Sequence, residues 1–174
     1  MVLASLAAAP GANGLFGGAL ALVMLGIAFA DQRQFIIPDS LSGGAFALGL
    51  LHAAIESPQS PLEGAWISLC QGVLATAGLL LVRFAYYRLR KREGIGLGDV
   101  KLAGVAGAWL SAPMLFVSLE IAALAALSAY FLQQKARGRA LRANSRLPFG
   151  LFFAPAIWLG WLFDTIWTYA PFPS

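Results

Sequence analysis

Two aspartates stand where this chain passes between apolar and polar segments. Asp31 closes an apolar block, and Asp99 opens another directly after the glycine-rich run 94–98. Two carboxyl groups held close together cannot both ionise cheaply, so one keeps a proton while the other stays charged. Such a pair can activate water for attack on a peptide carbonyl and protonate the leaving group, with no metal or covalent nucleophile. The pair could therefore hydrolyse peptides, provided that the fold brings the two side chains together.

The composition indicates that the elements carrying these aspartates are membrane-spanning helices. Hydrophobic residues make up 59% of the 174 residues and charged residues 11%, against about 25% charged in a soluble domain. Since a span needs about 20 apolar residues, the sequence predicts a single all-α integral membrane domain over 1–174, with a loop at 10–14. The domain is expected to be a bundle of six transmembrane helices at approximately 14–31, 40–56, 64–86, 98–111, 113–133 and 148–169.

The positions of the 12 Lys and Arg residues predict the orientation of this bundle. They fall at Arg33 and in the segments 83–101 and 135–146, between hydrophobic blocks. Cytoplasmic loops of membrane proteins are enriched in Lys and Arg, so we expect these segments inside, both termini outside, and a lipid bilayer around the helices. This distribution explains the net charge of +4, and we expect no nucleic-acid partner. Asp31 and Asp99 then lie at the same cytoplasmic level.

The sequence predicts no metal or cofactor site. Cys70 is the single cysteine and can form neither an intramolecular disulfide nor a multi-thiolate zinc site, and His52 lies near the outer side, away from both aspartates. The glycine run lacks a preceding strand and a Gly-Lys-Ser/Thr, so it does not predict phosphate binding. Gly96 and Gly98 would instead allow close approach of a substrate strand and tight packing around Asp99.

Three motifs in this order resemble those of the type IV prepilin peptidases, which are GxGD membrane aspartic peptidases. They are Asp31 followed by Pro38-Asp39, the run Gly96-Leu97-Gly98-Asp99 within 93–102, and Leu147-Pro148-Phe149-Gly150. By this resemblance Asp31 and Asp99 are the catalytic pair. The remaining motif residues are expected to shape the site: Pro38, Asp39, Gly96, Gly98, Lys101, Pro148, Phe149 and Gly150.

The resemblance also implies a substrate and a location. The family removes the leader peptide from prepilins or pseudopilins of type IV pili and type II secretion, after a leader-terminal glycine, at the cytoplasmic face of the bacterial inner membrane. Long members begin with a domain bearing two cysteine pairs, and many also N-methylate the new pilin terminus. This sequence opens at a membrane span and resembles the compact members, so we expect no methyltransferase activity. The particular pilin and the oligomeric state do not follow from the sequence.

Each acidic residue of the motifs also has a structural explanation. Asp31 could be an interfacial residue that ends a helix beside Arg33. Asp99 could cap the N-terminus of its helix, and that function is compatible with catalysis. Asp39 follows Pro38 and precedes an apolar run, so we expect it to be a helix N-cap.

Two charged residues outside the proposed pair carry separate expectations. Lys101 lies two residues after Asp99, too far round a helix to face the same way, so we expect a solvated interfacial lysine. Glu120 lies about 12 Å into the fifth span at 1.5 Å per residue, and we expect a buried carboxyl paired across helices.

A different class of function, proton-coupled transport, would also use intramembrane carboxylates. Transporters usually place such acids near the membrane midplane and often contain inverted repeats. Here the pair is predicted at the cytoplasmic edge, and no internal repeat is visible in the sequence. Accumulation of a solute driven by a pH gradient would favour the transporter.

Overall fold

The computed structural model of the chain describes residues 1–9, 11–92, 94–136 and 148–169. Within these ranges the protein contains seven α-helices and no β-strand. The helices are α1 Val2–Ala8, α2 Ala12–Gln34, α3 Asp39–Glu56, α4 Pro61–Arg90, α5 Leu97–Trp109, α6 Ala112–Ala136 and α7 Gly150–Tyr169. The predicted all-α membrane fold is confirmed.

Four of these helices are long and apolar enough to cross a membrane, namely α2, α4, α6 and α7. The other two long segments differ, since α3 has 18 residues and α5 has 13. At 1.5 Å per residue α5 is about 20 Å long, shorter than the roughly 30 Å hydrocarbon core of a bilayer. That α3 and α5 also cross the membrane, which would give six spans, therefore stays a prediction.

The helix ends differ from the predicted ones. α2 begins at Ala12 and continues past Asp31 to Gln34, so Asp31 lies within the last turn instead of ending the helix. α4 extends to Arg90, beyond the predicted end at 86. Hydropathy marks only the apolar part of a helix, whereas its backbone hydrogen bonds continue into the polar interface. The seven-residue α1 was not predicted because it is far too short for a span. Pro10, in the predicted loop, lies outside the described residues.

α5 lies at the centre of the bundle. Every residue from Leu102 to Leu110 is buried, and α5 packs on α4, α3 and α7. The outer helices α4 and α6 expose many large apolar side chains, among them Leu74 and Leu81 on α4 and Phe116 on α6, as lipid-facing helices do. A central, fully packed α5 holds its N-terminal turn, which carries Asp99, in a fixed place.

Glu120 lies on the outward face of α6, where it was not expected. The prediction of a buried, paired carboxyl is wrong, because the side chain is exposed. The buried face of α6 consists of Ser118, Ala122 and Ala126, and Glu120 points away from that face.

The bundle has two chemically different ends. At one end lie the C-termini of α2, α4 and α6, the N-termini of α3, α5 and α7, and all Lys and Arg side chains in the described part of the chain. At the other end, Asn13 donates a hydrogen bond to Glu56, and the Ser111 N–H donates to Asp164 Oδ2 at 3.1 Å. Asp31 and Asp99 both lie at the cationic end.

Candidate active site

Asp31 is held by the first turn of α7. The residue is 6% exposed, and its Oδ2 accepts a hydrogen bond from the Leu151 N–H at 3.0 Å. The first turn of a helix has N–H groups without intrahelical partners and is the positive end of the helix dipole. The segment 148–150 therefore contributes to the site by starting a helix against the Asp31 carboxyl.

At Gly150 the chain passes too close to Asp31 for any side chain. A Cβ atom at position 150 would lie 2.9 Å from Asp31 Oδ2 and 2.9 Å from Ile37 Cδ1. Either the carboxyl group or Ile37 would have to move to make room. The expected site-shaping function of Gly150 thus has a geometric basis.

Asp99 is the third residue of α5 and closes the start of its own helix. Its Oδ2 accepts a hydrogen bond from the N–H of Gly96 at 3.2 Å, and Gly96 is the N-cap of α5. This is the back-bond of a capping box, in which the side chain at N3 satisfies the N-cap N–H. Asp99 is therefore not the N-cap itself, but it does help to cap the helix. The hydrogen bond also fixes the orientation of its carboxyl group.

Ile37 is the residue of this site that sequence reasoning missed. It lies in the turn between α2 and α3 and is only 6% exposed, whereas its neighbours Phe35 and Ile36 are 55% and 61% exposed. A run of three apolar residues gives no sign of which one is buried. The following Pro38 is the N-cap of α3, which marks the end of the turn but does not show that Ile37 is its buried residue.

Ile37 contacts both the first turn of α7, which holds Asp31, and the residue that precedes Asp99. A Cβ atom at Gly150 and a Cβ atom at Gly98 would each lie 2.9 Å from Ile37 Cδ1. Asp31 Oδ2 would in turn lie 2.9 Å from the same Gly150 Cβ atom, and Gly98 is next to Asp99 in the chain. The structure thus brings together the two aspartates that the sequence singled out.

The glycine run before Asp99 is held from the side by α4. Arg83 donates a hydrogen bond to the carbonyl oxygen of Ile95. The Tyr86 ring covers Gly94, where a Cβ atom would lie 2.5 Å from Tyr86 Cε1. Arg83 was expected only to determine topology, and nothing in its spacing pointed to this contact.

Asp39 and Lys101 form an ion pair between the first turns of α3 and α5. The N-cap of α3 is Pro38, so the prediction of Asp39 as the N-cap is wrong, and its carboxylate binds Lys101 instead. Lys101 is exposed, as expected, with 45% of its side chain accessible, and the ion pair with Asp39 is the contact that was not predicted. The pair joins the segment after Asp31 to the helix that carries Asp99.

The other predicted residues lie at the edge of the site. The Phe149 ring packs on Phe153 at a centroid distance of 5.5 Å, and Pro148 directly precedes it. Glu93 and Leu147, at the ends of two motifs, lie outside the described residues. His52 is far from the aspartates and stacks on Trp109 at 4.9 Å. Within the described ranges no three His, Cys, Asp or Glu side chains are grouped so that they could hold a metal ion.

Comparison with known proteins connects this arrangement to one family. The model of the type IV leader peptidase family matches residues 18–131, a range that contains both Asp31 and Asp99. Leader peptidase HopD of Salmonella typhimurium is 32% identical over 141 residues, which are 80% of this chain and 86% of the relative. No solved structure matches the chain.

Longer relatives match as well. The prepilin leader peptidase/N-methyltransferase of Burkholderia pseudomallei is 38% identical over 164 residues, covering 87% of this chain and 50% of the relative. The protein of the same name from Dichelobacter nodosus is 33% identical over 140 residues, covering 80% of this chain and 46% of the relative. The chain thus spans about half the length of these relatives.

Proposed function

The chain belongs to the type IV leader peptidase family, and on that basis we propose that it removes the leader peptide from prepilin-like proteins. The observation that carries the proposal is that Asp31 and Asp99 lie at the same end of the bundle, where Ile37 contacts both Gly150, beside Asp31, and Gly98, beside Asp99. Among relatives that match, several are named prepilin leader peptidase/N-methyltransferase. The substrate would be a prepilin or pseudopilin whose apolar helix lies in the same bilayer.

Asp31 and Asp99 form the catalytic pair in this proposal. The charged carboxyl takes a proton from a water molecule as the water attacks the scissile carbonyl carbon, and the protonated carboxyl donates to the carbonyl oxygen. Collapse of the tetrahedral intermediate then breaks the C–N bond: the carboxyl that took the water proton gives it to the leaving amine, and the other carboxylate takes back a proton from a hydroxyl of the intermediate as the product carboxylic acid forms. The N–H groups of Leu151 and Gly96 keep the two carboxyls oriented through this sequence.

The surrounding motif residues position this pair. Gly98 and Gly150 let Ile37 fit between the two segments, while Pro38, Asp39 and Lys101 fix where α3 and α5 begin. Gly96, Pro148 and Phe149 support the turns from which α5 and α7 start. The site depends on these residues for its geometry, and none of them needs to touch the scissile bond.

The cationic end of the bundle faces the cytoplasm in this proposal, with the chain in the bacterial inner membrane and both termini outside. The concentration of Lys and Arg at that end supports it, because cytoplasmic loops are enriched in these residues. A prepilin leader that emerges on the cytoplasmic side would meet the site at the membrane surface.

Co-expression with candidate prepilins tests the proposal. Leader removal is followed by gel shift and mass spectrometry for wild type, for Asp99→Asn, and for Asp164→Asn as a matched loss of a carboxylate at the other end of the bundle. We expect cleavage at one bond by wild type and Asp164→Asn and none by Asp99→Asn. Cleavage by Asp99→Asn at the wild-type level, or none by wild type with any of several prepilins, would refute the proposal.

Proton-coupled transport is not favoured by these findings. The family match and the curated relatives support peptidase chemistry, and the two carboxyls lie at an end of the bundle and not midway along their helices. An isotope-uptake assay in vesicles with an imposed pH gradient would separate the two functions.

A further inference from the structure

Glu120 is a carboxyl group on the lipid-facing side of a membrane-spanning helix. α6 is one of the four helices long and apolar enough to cross a membrane. Positions 116, 120, 124, 127 and 131 follow helical spacing and share one face of it. The four apolar side chains on that face are 53–68% exposed, namely Phe116, Leu124, Leu127 and Phe131. Glu120 is the acidic group in the middle of this face, which we call the outer face of α6.

Nothing within the described part of this chain compensates the Glu120 carboxyl. It forms no hydrogen bond or ion pair with any described residue. From Ala112 it lies about 12 Å along the helix, and Lys135 lies a further 22 Å or so away. With a hydrocarbon core of roughly 30 Å, that depth is inside the apolar region, where a carboxylate is costly and marks a function or a partner.

We propose that the outer face of α6 binds the same face of a second copy of this chain, so that the two Glu120 carboxyls meet. A twofold axis along the membrane normal makes such an interface self-complementary, since each residue meets the same patch on the partner. Both carboxyls then lie at the same depth. A neutral carboxyl both donates and accepts a hydrogen bond, so the pair satisfies itself without a second residue type.

The choice of a second copy follows from this self-complementarity. Any other helix would need its own polar group at the depth of Glu120, whereas a second copy brings one by symmetry. Ala123 lies beside Glu120 on the same side and is exposed, and small residues at such contacts let two helix backbones approach closely. α6 packs chiefly on α7 through its buried face, where Ser118 lies against Gly160, so the outer face is left for the second copy.

Cysteine cross-linking in native membranes tests this interface. In a Cys70→Ser background, Leu127→Cys places a thiol on the outer face, and Ala126→Cys, on the buried face, is the matched control. We expect mild oxidation to give a covalent dimer for Leu127→Cys and at least tenfold less for Ala126→Cys. Equal cross-linking at the two positions, or none at Leu127→Cys in the inserted protein, would overturn the proposal.

Variants of Glu120 show whether the dimer depends on the pair of carboxyl groups or only on apolar contact between the two helices. In the Leu127→Cys background, Glu120→Leu should lower the dimer fraction about three- to tenfold, within the range of one interhelical hydrogen bond in a membrane. Glu120→Gln should retain the dimer, because an amide also donates and accepts. Undiminished dimer in Glu120→Leu would overturn the proposal. So would cross-linking of Leu127→Cys to a co-expressed single-cysteine prepilin in place of a second copy.

Discussion

At the scale of single residues, the two aspartates depend on side chains that do no chemistry themselves. Ile37 contacts the residues beside Asp31 and beside Asp99, and two glycines leave room for it. The sequence pointed to the aspartates because a carboxyl beside an apolar block is costly and therefore stands out. It could not point to Ile37, whose burial depends on three segments that are distant along the chain.

Replacing Ile37 by alanine should impair both folding and cleavage. Deleting a buried isoleucine side chain costs about 2–5 kcal/mol, and here the cavity would open beside Gly98 and Gly150, the neighbours of the two aspartates. We expect at least a tenfold fall in the rate of leader removal and a lower midpoint of thermal inactivation in detergent. Ile36→Ala, next to it but 61% exposed, is the control and should change both quantities little. Equal behaviour of the two variants would show that Ile37 does not support the site.

Gly150→Ala should displace the Asp31 carboxyl and the end of the Ile37 side chain. The added methyl group would lie 2.9 Å from Asp31 Oδ2, so the carboxyl must shift, and displacement of a reacting group by about 1 Å can cost 10²-fold in rate. Cleavage kinetics should therefore show a large loss in kcat with intact insertion. Gly43→Ala, in α3 with nothing within 4 Å of the new methyl group, should keep the wild-type rate. A wild-type cleavage rate for Gly150→Ala would contradict the close approach of Gly150 to Asp31.

At the scale of elements, the site depends on where helices begin. α7 starts against Asp31, α5 starts with Asp99 in its first turn, and α3 starts at Asp39, two residues after Ile37. Hydropathy placed these starts within three residues, since apolar runs locate spans well. Hydropathy could not give the exact first residue of each helix. Helix ends are set by capping hydrogen bonds and by Pro38, and neither leaves a clear signal in hydropathy.

The Asp39–Lys101 ion pair should matter more for catalysis than for stability. An exposed pair contributes only about 0–1 kcal/mol to folding, yet this one joins α3 to α5 beside the aspartates. Lys101→Met should lower the cleavage rate several-fold with a nearly unchanged thermal midpoint. The exchange Asp39→Lys with Lys101→Asp should recover most of the loss. Failure of the exchange, with both single variants impaired, would mean that Lys101 acts through another contact.

The contact from α4 to the glycine run should also be detectable in the kinetics. Arg83 donates to the Ile95 carbonyl oxygen, so Arg83→Met should loosen the turn before Asp99 and lower kcat. Arg88→Met removes a cation from the same end of α4, where Arg88 packs over the Phe84 ring at 5.6 Å, and is the matched control. If both variants lose activity equally, the loss is caused by removing positive charge from this end of α4 and not by breaking the hydrogen bond.

At the scale of the whole molecule, the fold class and the orientation are predicted from hydropathy and charge averaged over long stretches of the sequence. The length of apolar blocks predicted an all-α membrane protein, which the helices confirm, and the grouping of cations at one end follows the predicted alternation. The central position of α5 was not predictable, because a 13-residue helix carries too short an apolar run to indicate a location. The exposed Glu120 was also mispredicted, since hydropathy does not show which face of α6 meets α7.

The central claim is that Asp31 and Asp99 act as one catalytic unit, and reconstituted protein tests it most directly. Rates of leader removal from one synthetic prepilin are measured in vesicles for wild type, Asp31→Asn, Asp99→Asn and the double variant. Because groups that act together are non-additive, each single variant should lose at least about 10³-fold, and the double variant should be no slower than either. A single variant within tenfold of wild type, or losses that multiply in the double variant, would contradict the claim.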